Sequence, residues 1–206
     1  MEPMGTRERL LAATIETIDR GGEQAVRVRE VAAAVGVAEP SIYHFFGSRE
    51  ALLDEAQASR YERTRGALHE DFRSASRRCT SADEFFALVR ASLAQYCQPE
   101  RSWARAVRTE ILGLAQSRPS LAARVVAEQR AAMRLTSDGF AFAQRKGWVR
   151  YDLDPEVLSV WIAGQVNSRL LVEIDPDRVD GAAWNRAFVD AVMAVLVAPE
   201  EPSDGG

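Results

Sequence analysis

Between Val28 and Leu53 the chain reads VREVAAAVGVAEPSIYHFFGSREALL, and few folds accept that order of residues. Val28, Val31, Ala32 and Val35 recur at helical spacing, which predicts a short helix with one apolar side. Gly36 ends it, because a turn that needs positive φ is cheapest with glycine. Pro40 falls where a first helical turn tolerates a missing N–H. The second helix, about Glu39 to Phe46, keeps Ile42 and Phe46 on one side and leaves Ser41, Tyr43, His44 and Phe45 to face elsewhere. Two short helices joined this tightly form a helix–turn–helix, whose second helix can enter a DNA major groove.

The flanks complete a head. A first helix from Thr6, the expected N-cap, to Arg20 places Leu11, Ile15 and Ile18 on one face, with Leu10 and Ala13 alongside. Gly21 and Gly22 stop it, and its role is to pack behind the two short helices as a three-helix core. Met1 to Gly5 holds no basic residue, so no DNA-binding arm is expected there. Ser48 caps a long fourth helix that begins Arg49-Glu50-Ala51-Leu52-Leu53 and is expected to run to about Arg73, with Gly66 as a weak point.

Beyond it only helical patterns follow. Ser81-Ala82-Asp83-Glu84 reads as a capping box opening a fifth helix, and a sixth spans about Ser102 to Gln116. A seventh runs from Pro119 to about Gln144. Asp154-Pro155-Glu156 opens an eighth, to about Glu173, with cap, proline and acid each in its favoured place. A ninth covers about Ala182 to Val197, and the tail from Pro199 to Gly206 is too polar to pack. The fold class is all-α, with about nine helices and no strand signal. Domains are expected at 1–50 for the head, 51–198 for a helical body and 199–206 for a disordered tail.

Composition narrows the function. A chain of 206 residues, 47% hydrophobic and 27% charged, can bury a core in one or two domains. Its net charge of −4 offers no broad basic field. Over residues 27–65 six arginines meet six acids, so DNA affinity must come from locally placed arginines and be steeply salt-sensitive. Cys79 and Cys97 have no metal-ligand spacing and read as free thiols of a reducing compartment. No apolar run is long enough for a membrane span and no signal-peptide core is present, so a cytoplasmic location is expected. An enzyme is not expected. The only histidines are His44 and His69, and no nucleophile–base pairing, Glu-x-x-His pair or glycine-rich phosphate loop accompanies them.

The string G-V-x-x-P-S-I-Y-x-x-F-x-S-R-E-A-L-L, preceded by V-R-E-V-A and by T-R-E-R-L-L-A-A at Thr6 to Ala13, resembles the DNA-binding domain of the TetR family of one-component regulators. The likeness covers about the first quarter of the chain. It implies a homodimeric regulator, a repressor by preference. Such a protein binds a palindromic operator and is released by a small-molecule effector in each body, with no cofactor. By the same resemblance Arg29 reaches bases, where a guanidinium can bind guanine bidentately. Pro40 and Ser41 front the recognition helix, and Tyr43 bonds a phosphate. Arg27 stands where the family has threonine, and Arg49 replaces its lysine as a phosphate clamp. Phe45 fills a slot more often histidine or tyrosine. His44 can donate to phosphate or read a base, and Glu39 can accept from cytosine or reject sequences.

In the body, Tyr96, Trp103, Phe140 and Trp161 are large enough to line a cavity between helices, with plain core packing as the alternative for each. Arg108 suits an anionic effector or an ion pair, and Asn167 could orient a ligand. Ala163, Gly164 and Ser168 on the eighth helix, and Ala187, Ala191 and Ala194 on the ninth, permit close helix approach and hence a four-helix dimer interface. One head reads only a few base pairs, and a two-fold pair about 34–36 Å apart remedies that. The competing reading is a helical ligand- or protein-binding adaptor with a vestigial DNA-binding head.

Overall fold

The computed structural model describes residues 4–65 and 68–197. Among them every regular element is helical: α1 (Thr6–Gly21), α2 (Val28–Val35), α3 (Pro40–Phe46), α4 (Arg49–Arg63), α5 (Leu68–Ser76), α6 (Ala82–Tyr96), α7 (Ser102–Ala115), α8 (Pro119–Arg145), α9 (Pro155–Ser168), α10 (Leu170–Ile174) and α11 (Gly181–Leu196). Short 3-10 turns cover Glu23–Ala25 and Pro99–Arg101. All nine expected helices are present, and two of them are interrupted. α4 ends at Arg63 rather than running to Arg73. There the Thr64 N–H and hydroxyl both turn back to the Tyr61 carbonyl, at 3.1 and 2.6 Å, and a side chain that takes a carbonyl in this way competes with the helix. Gly66 and the tail from Pro199 lie outside the described residues. The expected eighth helix stops at Ser168 and restarts as α10, where the N–H groups of Val172 and Glu173 bond the Arg169 carbonyl.

Local signals set most helix starts. Ser48 Oγ accepts from the Ala51 N–H at 3.0 Å, and Asp154 Oδ1 accepts from Glu156 and Val157. At α6 half of the expected box forms, with Ser81 Oγ accepting from the Glu84 N–H. The Glu84 carboxylate reaches one residue further, to the N–H and hydroxyl of Thr80. At α1 the cap is Gly5 and not Thr6, which is the first helical residue. The Glu8 carboxylate holds the Gly5 N–H at 3.0 Å.

The chain packs as two compact units. The first joins Met1–Thr64 to Glu110–Ala127, and the second is Arg65–Thr109 with Glu128–Gly206. The boundary expected near residue 50 falls in the first turn of α4, whose apolar side is part of the first core. That core closes on Leu10, Ile18, Val26, Val31, Ala32, Ile42, Leu52 and Ala56. Leu10 is fully buried and Leu11 only partly, so the inner face of α1 is rotated from the expected one. Phe46, on the same side of α3 as Ile42, packs half-buried against this core beneath the Arg7 guanidinium, 5.0 Å from its ring centre.

Around this core runs a polar seam. Arg118 donates to both oxygens of Glu23, at 2.7 and 2.9 Å, and to Asp54, which also receives the Ser120 hydroxyl. Gln57 donates to Glu23, and Arg60 reaches Gln57, Asp19 and Glu110. Asp54, Gln57 and Arg60 are all buried, and buried charges persist only when paired and hydrogen-bonded.

The second unit is built on rings. Phe72, Phe85 and Phe140 meet at 5.3–6.2 Å between centroids, and Trp148 joins Phe85 at 6.2 Å. Gly139 allows the approach, because a methyl group there would stand 2.6 Å from Phe72. Arg105 staples the far end. It donates to the Tyr96 and Gln98 carbonyls at the close of α6 and to Glu173, a cation where a helix leaves carbonyls unpaired.

Candidate nucleic-acid interface and effector site

Gly36 adopts φ 75° and ψ 33°, the left-handed conformation its position requires. The N–H groups of Gly36 and Val37 then bond the carbonyls of Ala33 and Ala32, each at 3.0 Å, which closes α2 and swings the chain into α3. Ile42 at 0% exposure anchors α3 in the head. Glu39, Pro40, Tyr43 and His44 are exposed, as two pairs at four-residue spacing on one outward ridge. Ser41 is half-buried beside them.

Arg27 and Arg29 are exposed at the start of α2. Arg27 Nη1 donates to the Gln24 carbonyl at 2.5 Å. Arg29 has no hydrogen-bond or ion-pair partner among the described residues. The Tyr43 hydroxyl donates to Glu39 Oε1 at 3.5 Å, a weak contact that another acceptor can replace. Arg49 is half-buried and uses Nη2 to hold the carbonyls of Glu23 and Val26, at 3.2 and 3.3 Å. Its observed contacts fix the turn before α2, and among the described residues Nε and Nη1 remain unengaged. Phe45 is exposed and meets His44 edge-on at 5.0 Å.

The six residues expected around an effector are not brought into one cluster. Phe140 is 2% exposed within the ring core, and Trp103 faces solvent at 51%. Trp161 is half-buried against the second core, and Asn167 is half-buried on α9. Tyr96 and Arg108 do fall in one neighbourhood, around a residue that sequence reasoning passed over. His69 Nδ1 lies 2.8 Å from Thr136 Oγ1 and 3.3 Å from the Tyr96 hydroxyl. Burial first, then the positive charges of Arg108, Arg65 and Arg101, lower the His69 pKa to about 4. Its ring is neutral near pH 7. Burial likewise raises the Tyr96 pKa, so the phenol keeps its proton. Arg101 sits over the Tyr96 ring at 5.8 Å. The result is a neutral donor–acceptor cluster in a positive surrounding. A lone histidine carries no spacing signal, which is why the sequence did not single it out.

Among the described residues no helix is long and apolar enough to cross a membrane, and no three His, Cys, Asp or Glu side chains gather as a metal site. Cys79 and Cys97 are free thiols.

Residues 10–56 match the family model of the bacterial regulatory proteins, tetR family. No curated protein matches the chain. Among solved structures, a candidate TetR-family transcriptional regulator from Rhodococcus sp. is similar at 22% identity, over 93% of this chain and 98% of that one, with a TM-score of 0.65. A candidate transcriptional regulator from Saccharomonospora viridis in complex with choline is 17% identical, over 94% and 98%, at 0.63. FadR from Bacillus subtilis in complex with stearoyl-CoA is 18% identical, over 92% and 98%, at 0.61. At these identities the likeness is one of fold.

Proposed function

We propose, from the tetR-type helix–turn–helix head at residues 10–56, that the chain is a one-component transcriptional repressor. It binds a palindromic operator as a homodimer and is released by a small molecule. The observation that carries this reading is the exposed ridge of α3 on a fully anchored Ile42, flanked by Arg29, which is unpaired among the described residues. Arg29 then reads a base edge, worth about 1–3 kcal/mol of discrimination. Pro40 and Ser41 front α3 against the bases. Tyr43 exchanges Glu39 for a phosphate, and Arg27, His44 and the unengaged nitrogens of Arg49 hold the backbone. Glu39, once free of Tyr43, accepts from cytosine or excludes other bases.

Self-association is supported by the outer faces of two helices. Val157, Val160, Gly164 and Leu171 are exposed along α9 and α10, as are Ala183, Ala187, Ala191 and Ala194 on α11. Small and apolar side chains in such a row favour a second copy of the same surface. Ala163 and Ser168 are half-buried and contribute at its edge.

For the effector, Tyr96 and Arg108, which fall in one neighbourhood with His69, are the best-supported part of the expected set. Choline and stearoyl-CoA in the two similar structures support a small molecule without fixing its class. Ligand and operator then bias one two-state equilibrium in opposite directions. A protein of this function works in the cytoplasm.

The test is selection of a bound duplex from random sequence, followed by titration of the Arg29→Ala and Tyr43→Phe variants at fixed salt. Arg29→Ala should weaken the selected site by about 1–3 kcal/mol and relax preference at one base pair. Tyr43→Phe should weaken all sequences alike, by about 1 kcal/mol. Wild-type affinity in both variants would refute the docking geometry. Absence of any duplex preference would favour an adaptor.

A further inference from the structure

A cleft of about 560 Å³ lies between α6, the Pro99–Arg101 turn and α11, within the second unit. Arg169 lies in its floor with a side chain only 10% exposed. Its Nε donates to Asn185 Oδ1 at 2.8 Å and its Nη1 to Glu173. Nη2 has no acceptor among the described residues. It rests instead against Gly181, where an added methyl group would stand 3.2 Å away. Among the described residues Arg73 Nε alone is a buried side-chain polar atom without a partner, so this edge of Arg169 is open to the cleft it lines.

The charges around it do not balance. Glu173 is shared by Arg105 and Arg169, so one carboxylate serves two cations. Arg90 and Arg186 are exposed on the cleft lining, and Arg186 lies 4.0 Å from Asp180. Asp190 lines the cleft as well and opposes a second negative charge. Of the charged side chains that line the cleft, Arg90, Arg169 and Arg186 are cationic and Asp190 is anionic, so the lining is positive on balance. Ala94, Pro99 and Val189 supply apolar wall.

We propose that this cleft binds a small organic monocarboxylate. The carboxylate accepts from Arg169 Nη2 and offsets the positive lining, with Arg90 beside it, and the apolar body lies along Ala94 and Val189. Asp190 in the lining opposes a second negative charge, which favours a monoanion over a dianion such as phosphate. The site uses none of the residues assigned above to operator or effector, and it stands whether or not the chain represses transcription.

Calorimetric titration of the full chain with hexanoate, hexanamide and inorganic phosphate tests this. Hexanoate should bind once per chain, with hexanamide and phosphate at least about tenfold weaker, as loss of a charge-assisted bond implies. Gly181→Ala, which crowds Nη2, and Arg90→Gln should each weaken hexanoate without moving the melting temperature, and Asp190→Asn should tighten it. Arg169→Gln should abolish binding; if that variant does not fold, Gly181→Ala decides. Equal affinity for acid and amide, hexanoate binding unchanged in Gly181→Ala, or no saturable hexanoate binding at all would overturn the proposal.

Discussion

Arg29, Arg49, Arg118 and Arg169 are the same side chain in four settings, and only their surroundings tell them apart. Arg29 stands out in the sequence because its place in a local motif is informative. Arg118 and Arg105 were not, since their carboxylates lie 64 and 68 residues away and no spacing rule spans that distance. His69 shows the same limit from another direction, because burial made it unusual. Its acid behaviour follows from that burial. In the unfolded chain a histidine titrates near 6.5, whereas in the fold His69 resists protonation down to about 4. Between those values the unfolded state binds the extra proton, so stability falls as pH drops through the window and levels off below it. The span is worth about 3 kcal/mol. Urea unfolding measured from pH 7 to 4 should show this loss in the wild type, and His69→Gln should flatten it.

Among the elements, starts and stops written in adjacent residues were read correctly: Gly36, Pro40, Ser48 and Asp154 each do locally what their chemistry dictates. The interruption at Arg169 was not anticipated, and the one after Arg63 only as a weak point at Gly66. A hydroxyl bending back on its own helix and an arginine drawn sideways into an ion cluster leave no periodic trace. The turn between α2 and α3 permits a direct test. Gly36→Ala forces a side chain into the left-handed region and should cost about 1 kcal/mol in thermal unfolding. It should also reduce duplex binding more than its stability loss explains, because α3 is aimed from that residue. α4 is held on its other side by the seam through Asp54. Asp54→Asn leaves Arg118 short of its buried partner and should destabilise the head by roughly 3 kcal/mol. Hydrogen exchange should then speed in Glu23–Val35, the stretch tied to the seam through Glu23.

For the molecule as a whole, the reading requires two heads at a fixed separation, so assembly and DNA affinity must fall together. Val160→Asp with Gly164→Glu places charge on the exposed apolar row and should yield monomers in sedimentation velocity at micromolar concentration. Operator binding should weaken in parallel while helical content is kept. Monomers that bind the full palindrome as tightly as the wild type would overturn the dimer reading. The first compact unit also reaches past the matched segment, since Glu110–Ala127 belongs to it through Arg118 and Ser120. Excising the head after α4 would remove Arg118 and Ser120, the partners of Asp54, together with the rest of the segment that packs with it in the first unit. A chimaera that transplants only the N-terminal segment onto a foreign sensor should therefore fold poorly, whereas a graft that carries residues 110–127 along should recover a stable reader.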